Sequence, residues 1–263
     1  MTLTILFACL SGLAMTVLFA LCPALSFWWR LPIFLGFYVA IALLYIAILF
    51  VSFLLLPEAD PSPHTRSVCH RWIELTLSWI FVMIGYKVTV EGTDKLPNTP
   101  YLLVGNHRSA FDPLCTEAAL EDHDIAFVCK PSVMKIPIIG RVLTKLRFLA
   151  IDRDNARNAV TTIKRAAELI TDVGLSVGIY PEGTRSKDGN LLPFHAGSFK
   201  IAKLANCPVA VATIRYEKRG LLPWNKRVSI RIVDVMDVDF VTNNNTAALA
   251  ERTEQTIRED LGL

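Results

Sequence analysis

One charged side chain, Arg30, occurs in the first 56 residues, whereas the remaining 207 carry fifty. A stretch so poor in charge cannot form the outside of a water-soluble domain. It has to be covered by protein or by lipid. From Leu31 to Leu56 there are 26 consecutive uncharged positions, and a helical span needs about 20. Trp28, Trp29 and Arg30 precede this run as headgroup-level residues do, and Pro57, Glu58 and Asp60 end it. Residues 3–25 are also uncharged but are weakened by Ser11 and Pro23. They read as a first span, a re-entrant segment or a signal peptide. The missing positive n-region argues against the last, and Leu21 is too bulky for Cys22 to resemble a lipidated cysteine. The favoured reading is two spans joined by a tight turn near residues 24–30. That puts the N-terminus and the following domain on one side, with the Lys/Arg-bearing domain in the cytoplasm.

Past residue 56 the composition becomes that of a globular protein. Residues 57–86 form a linker and a third apolar stretch, Trp72 to Tyr86, whose single charge is Glu74. At about 15 residues it is short for a span. It fits either a buried packing helix or an amphipathic helix at the membrane surface. From residue 87 to 263, short β-rich runs alternate with helical patterns. The strands are predicted at 87–91, 101–105, 125–129, 148–151, 175–180, 208–214 and 228–235. The helices are predicted at 113–121, 136–146, 156–172, 196–205 and 246–261. Val160, Ile163, Ala167 and Ile170 recur at helical spacing and give one apolar face. The fold class that follows is α/β: a mostly parallel sheet flanked by helices, behind an N-terminal transmembrane helical anchor.

The formal net charge is only +3, but its distribution is uneven. Residues 130–165 carry nine Lys or Arg against two Asp, and residues 232–263 carry seven acids against two Arg. The basic tract suits anionic substrates, an acidic carrier or anionic headgroups, and any one lysine in it suits a plain solvated surface. Six unpaired cysteines, mostly with apolar neighbours, fit a reducing compartment. The histidines show no metal-ligand spacing, so no metal or other cofactor is expected. Phosphate-loop and dinucleotide-binding glycine patterns are absent from the sequence. A nucleic-acid partner would leave the apolar N-terminus unexplained.

Two polar stretches carry the chemistry. Asn106-His107-Arg108-Ser109-Ala110-Phe111-Asp112-Pro113 follows the strand 101–105, at the end of a strand where such sheets bind ligands. Asp112-Pro113 reads as a helix start, with Asp112 as a cap and Pro113 at the first helical position. A turn before that helix can instead fold Asp112 back onto His107. The carboxylate would then fix the imidazole tautomer and leave the other ring nitrogen to take a proton. Ser109 is a weak candidate nucleophile, since no Gly-x-Ser-x-Gly elbow surrounds it. Pro181-Glu182-Gly183-Thr184-Arg185-Ser186 follows the strand 175–180. Gly183 permits an unusual backbone turn, Arg185 offers a planar fork for phosphate, and Thr184 adds a hydroxyl. The plainer alternative is a polar loop with a Glu–Arg pair. Lys130 and Arg153 also stand at predicted strand ends and suggest further anion contacts.

In their order and separation, Asn106-His107 through Asp112 and Pro181-Glu182-Gly183-Thr184-Arg185-Ser186 resemble the signatures of the membrane glycerolipid acyltransferases. The nearest likeness is to the 1-acyl-sn-glycerol-3-phosphate (lysophosphatidic acid) acyltransferases, over about residues 85 to 215. The resemblance implies that His107 is the general base and Asp112 its orienting residue. It assigns Glu182, Gly183, Thr184 and Arg185 to the acceptor site, with Arg185 on the phosphate. Ile151-Asp152-Arg153 matches the end of a second family block, and Lys130 corresponds to a lysine often found where that block begins. Phe148-Leu149-Ala150 stands where the family usually has a small Gly, and Pro208-Val209-Ala210-Val211 departs from its Pro-x-x-Pro. The implied reaction moves an acyl group from acyl-CoA or acyl-carrier protein to the sn-2 hydroxyl of lysophosphatidic acid. Another lysolipid acceptor, a non-catalytic lipid-binding protein and a soluble hydrolase are the competing readings.

Overall fold

The computed structural model describes residues 2–22, 26–55, 68–120, 123–137, 139–152, 155–186, 190–218 and 226–263. The chain begins with two helices, α1 (Thr2–Leu21) and α2 (Arg30–Leu55), packed as a hairpin around a short 3-10 turn at Phe27–Trp29. At 1.5 Å per residue these reach about 30 and 39 Å, so both are long and apolar enough to cross a membrane. Most of their surface is uncovered by protein: Leu13, Leu21, Leu35, Val39, Leu43 and Leu44 are all exposed.

The third apolar stretch is helix α3 (Val68–Met83), and it faces two ways. Ile73, Leu77 and Phe81 enter the core of the following domain. Trp79 instead meets Phe7 of α1 edge-to-face at 5.5 Å and donates its indole N–H to Tyr38 of α2. Thr76 and Tyr45 share a hydroxyl hydrogen bond of 2.9 Å beside that contact. The helix packs on both neighbours, and Trp72, Leu75, Val82 and Met83 stay exposed along it. It couples the hairpin to the sheet because its apolar residues occupy two faces rather than one.

Seven strands form one sheet: β1 (Tyr86–Glu91), β2 (Leu102–Gly105), β3 (Ile125–Cys129), β4 (Leu149–Ala150), β5 (Ser176–Ile179), β6 (Val209–Lys218) and β7 (Lys226–Met236). Their order is β1-β7-β6-β2-β5-β3-β4, and five of the six pairings are parallel. The exception is β6 with β7, whose antiparallel ladder runs from Val209↔Met236 to Lys218↔Lys226. All seven predicted strands are present, and the mostly parallel α/β class holds.

Both faces of the sheet are covered, as parallel sheets require. Side-chain alternation sorts each strand between the two cores. Leu102 and Val104 lie with Val177, Ile179, Val209 and Val211 on one side. That side is closed by α7 (Ala156–Thr171), α8 (Lys200–Ala205), α9 (Val238–Asn243) and α10 (Thr246–Leu261). Tyr101, Leu103, Phe127, Ala210 and Ala212 face the other way. There they meet α3, α4 (Asp112–Ala119) and α6 (Ile139–Lys145), which follows the one-turn helix α5 (Pro131–Met134). Each of these fully buried aliphatic side chains contributes about 1.5–3 kcal/mol. The parallel strands β2, β3 and β5 all end on one edge of the sheet, and the two polar stretches emerge there.

Candidate functional site

The chain leaves β2 at Gly105, and the next residue, Asn106, is buried and prolongs the sheet with its side chain. Its carboxamide accepts from the Ile214 N–H at 2.7 Å and donates to the Ile214 carbonyl at 3.0 Å. This pair stands in for another rung of the β2–β6 ladder, so His107 leaves from a fixed point.

Asp112 does not cap α4. Phe111 occupies the N-cap position and makes no side-chain cap. The Asp112 carboxylate turns back over the preceding residues and is fully buried. Its Oδ2 accepts the Arg108 N–H at 2.7 Å and the Ser109 N–H at 2.8 Å, and it lies 2.8 Å from His107 Nδ1. Oδ1 accepts the phenol of Tyr216 at 2.6 Å. The cap reading of Asp112 gives way because two tight backbone donors and an imidazole offer a buried carboxylate more than the first turn of a short helix does. With Nδ1 facing Asp112, the ring carries its proton there, and Nε2 is left as the acceptor. The His107 side chain retains 19% exposure while that of Asp112 has none.

The imidazole rests on a stack of rings. Tyr180 lies parallel to it at 4.6 Å and 9°, and Phe127 lies under Tyr180 at 5.8 Å and 13°. Gly178 makes room for this stack, since a Cβ there would come within 2.3 Å of the Phe127 ring. Burial and the nearby Asp112 carboxylate hold the Tyr180 phenol well above its ordinary range, so that ring stays neutral.

The second stretch is strapped to the first. Gly183 takes a positive φ of 75° and closes a turn on the Tyr180 carbonyl. That turn points Glu182 inward. Its Oε1 accepts the His107 N–H at 2.6 Å and its Oε2 accepts the Leu192 N–H at 3.1 Å. Burial raises the pKa of Glu182 above the usual carboxylate value, while the two N–H donors pull it back. The Ser186 N–H then donates to the His107 carbonyl at 3.0 Å. Glu182, grouped with the acceptor residues on the resemblance, is a buried brace on the His107 backbone, and it makes no ion pair with Arg185 among the described residues.

Thr184 and Arg185, between those two straps, are exposed. Arg185 makes no ion pair among the described residues. Lys130 is exposed at the start of α5, directly after β3. The site therefore joins His107, Asp112, Glu182, Gly183, Thr184 and Arg185 across two strand ends, with Lys130 at a third. Arg153 lies outside the described residues. Nearby thiols offer no nucleophile: burial pushes Cys115, one turn along α4 from Asp112, up to about 12, and Cys129 up to about 11. The Ser109 hydroxyl accepts the Phe111 N–H at 3.2 Å, a role in the turn itself.

Tyr216 and Tyr180 are the residues that motif reading passed over. A signal for Tyr216 existed. In Ile214-Arg215-Tyr216-Glu217 every second residue is apolar, so the strand continues past 214 with Tyr216 on the inward side.

Known proteins are similar to the same region of the chain. Residues 87–215 match the family model described as Acyltransferase. A chloroplastic 1-acyl-sn-glycerol-3-phosphate acyltransferase of Brassica napus is 35% identical over 57% of this chain and 43% of its own length. The 1-acyl-sn-glycerol-3-phosphate acyltransferase of Haemophilus influenzae is 28% identical over 72% of this chain and 78% of that protein. The chain thus spans about two fifths of the plant relative and most of the bacterial one. The crystal structure of the 1-acyl-sn-glycerophosphate (LPA) acyltransferase PlsC from Thermotoga maritima shares the fold, with a TM-score of 0.62 and 22% identity. That match covers 83% of this chain and 88% of that one. Both polar stretches fall inside the matched region, and over that region the chain is similar to acyltransferases.

Proposed function

We propose that this protein is an acyltransferase that moves an acyl group from a thioester, acyl-CoA or acyl-carrier protein, to the sn-2 hydroxyl of 1-acyl-sn-glycerol-3-phosphate, forming phosphatidic acid. One observation carries the proposal. His107 is held by Asp112 through Nδ1, stays partly exposed, and is backbone-bonded on both sides to the segment that presents Arg185. A neutral imidazole suits the removal of a proton from an alcohol at neutral pH. In the reaction, Nε2 takes the hydroxyl proton as the oxygen attacks the thioester carbonyl. The C–S bond breaks, and the departing thiolate recovers the proton from the imidazolium. A thioester is electrophilic enough for this to need no covalent enzyme intermediate.

Arg185 holds the acceptor phosphate, with Thr184, Lys130 and Arg153 as further contacts. Positioning the hydroxyl against the carbonyl contributes up to about 7–11 kcal/mol in favourable cases. The α1–α2 hairpin anchors the enzyme in the membrane where its acceptor dissolves, with the acyltransferase domain of residues 87–263 on the cytoplasmic face. The test is an assay of the purified protein with lysophosphatidate and each donor, following thiol release and product. Phosphatidic acid formed with one or both donors is expected. Thiol release without acceptor, or transfer only to another lysolipid, would overturn the assignment.

A further inference from the structure

We infer that Tyr216 is a positioning residue for acyl transfer: its phenol, bonded to Asp112, sets how strongly that carboxylate draws a proton onto His107. The inference rests on the proposed role of His107 as base. The two Asp112 oxygens are unequally served. Oδ2 faces three N–H groups, from Arg108, Ser109 and the His107 ring. Among the described residues, Oδ1 receives one donor, the Tyr216 hydroxyl at 2.6 Å. For a carboxylate with no exposed surface, that bond replaces the water it has lost.

Tyr216 is well placed to hold this contact. It is the next inward-facing residue of β6 after Ile214, which the Asn106 carboxamide grips through both backbone atoms. The one side chain of the β2–α4 turn and the one of β6 are therefore set from the same clamp. The Tyr216 ring meets Tyr86 of β1 edge-on at 6.4 Å, and the Lys226 ammonium of β7 lies 5.7 Å from its centroid. The titratable groups around the pair are His107, Cys115 on α4, Tyr180 after β5, Tyr86 on β1 and Lys226 on β7. Burial first, and then the Asp112 charge, keep the Tyr216 phenol protonated well above its ordinary range. It therefore donates throughout the working pH range.

A donor on Oδ1 draws negative charge away from the oxygen that faces the imidazole. Removing it leaves more negative charge on the oxygen facing the imidazole, so an imidazolium is held to higher pH. That silences the base below its titration and moves the acid limb of the rate profile to higher pH.

Two variants of the full chain test this, Tyr216→Phe and site-specific replacement of Tyr216 by 3-fluorotyrosine, a stronger donor of nearly the same shape. Two quantities are read: the acid limb of kcat/KM, and the titration of the His107 ring by NMR, assigned with His107→Ala. Tyr216→Phe is expected to move both upward by about half to one pH unit. Its activity should fall roughly tenfold below the limb and recover above it. 3-Fluorotyrosine is expected to move both downward. Unmoved titrations, or shifts of the same sign in the two variants, would overturn the inference. The ring titration decides it even if the wild-type protein transfers no acyl group to lysophosphatidate, an outcome that would sink the functional reading alone. If Tyr216→Phe fails to fold, the fluorotyrosine protein supplies the signed shift.

Discussion

The segment from Asn106 to Asp112 and the segment from Glu182 to Ser186 lie side by side at one sheet edge but are built on opposite plans. In the first, nearly every polar atom is committed. The Asn106 amide serves β6, the Asp112 oxygens serve two backbone N–H groups, an imidazole and a phenol, and one face of His107 rests on Tyr180. In the second, Glu182 and Ser186 are buried anchors, while Thr184 and Arg185 between them stay in solvent. The difference matches two chemical needs. On the proposed function, His107 as a base must already be in place, because any reorganisation would be added to the barrier. On the same reading, a phosphate clamp at Arg185 can be ordered by its ligand, provided its backbone is anchored.

Substitutions should separate the two plans. His107→Ala is expected to have the largest effect on turnover, a loss of about 10²–10⁴-fold or more, with membrane binding and thermal midpoint close to wild type. Full activity in that variant would remove the base. Asp112→Ala should lower both turnover and stability, since it strands buried donors at about 1–3 kcal/mol. A thermal melt beside the activity assay reads this, and a stable but inactive protein would mean that the hydrogen bonds matter less to the fold than their geometry suggests.

Glu182→Gln comes next. An amide can accept one of the two backbone N–H groups but turns an NH₂ toward the other. A moderate loss of stability and kcat is expected, with the acceptor KM unchanged. Arg185→Ala inverts the pattern: acceptor KM should rise roughly tenfold, while stability stays within about 0.5 kcal/mol of wild type. An unchanged KM would break the contrast by showing that the exposed arginine does not meet the phosphate. Lys130→Ala, on a third strand end, is expected to give the smallest change, an acceptor KM raised by no more than about threefold.

Much of this protein was legible in one dimension. The uncharged run from Leu31 to Leu56 has to be covered by protein or by lipid. The strands follow from short apolar runs whose alternate residues go to opposite cores, as Leu102 and Leu103 do. The two polar stretches were legible because ligand-binding residues in such sheets gather at strand ends. Other features escaped because they depend on pairs distant in sequence. The two-faced character of α3 required knowing that Phe7 would meet Trp79. The inward turn of Glu182 required knowing that β2 and β5 would be neighbours, bringing the His107 N–H within reach of a carboxylate 75 positions later.

What the sequence showed alone, then, is the contrast between an uncharged N-terminal stretch and an α/β region, together with the residue types gathered at one end of its strands. Hydrophobic period and local turn chemistry are short-range properties, written within a few residues of where they act. What the tertiary structure decided is the hydrogen-bonding geometry of the His107 ring. That depends on Asp112 folding backward and on Tyr216 arriving from a strand 104 residues away. No local pattern encodes that meeting, because strand order in the sheet creates it.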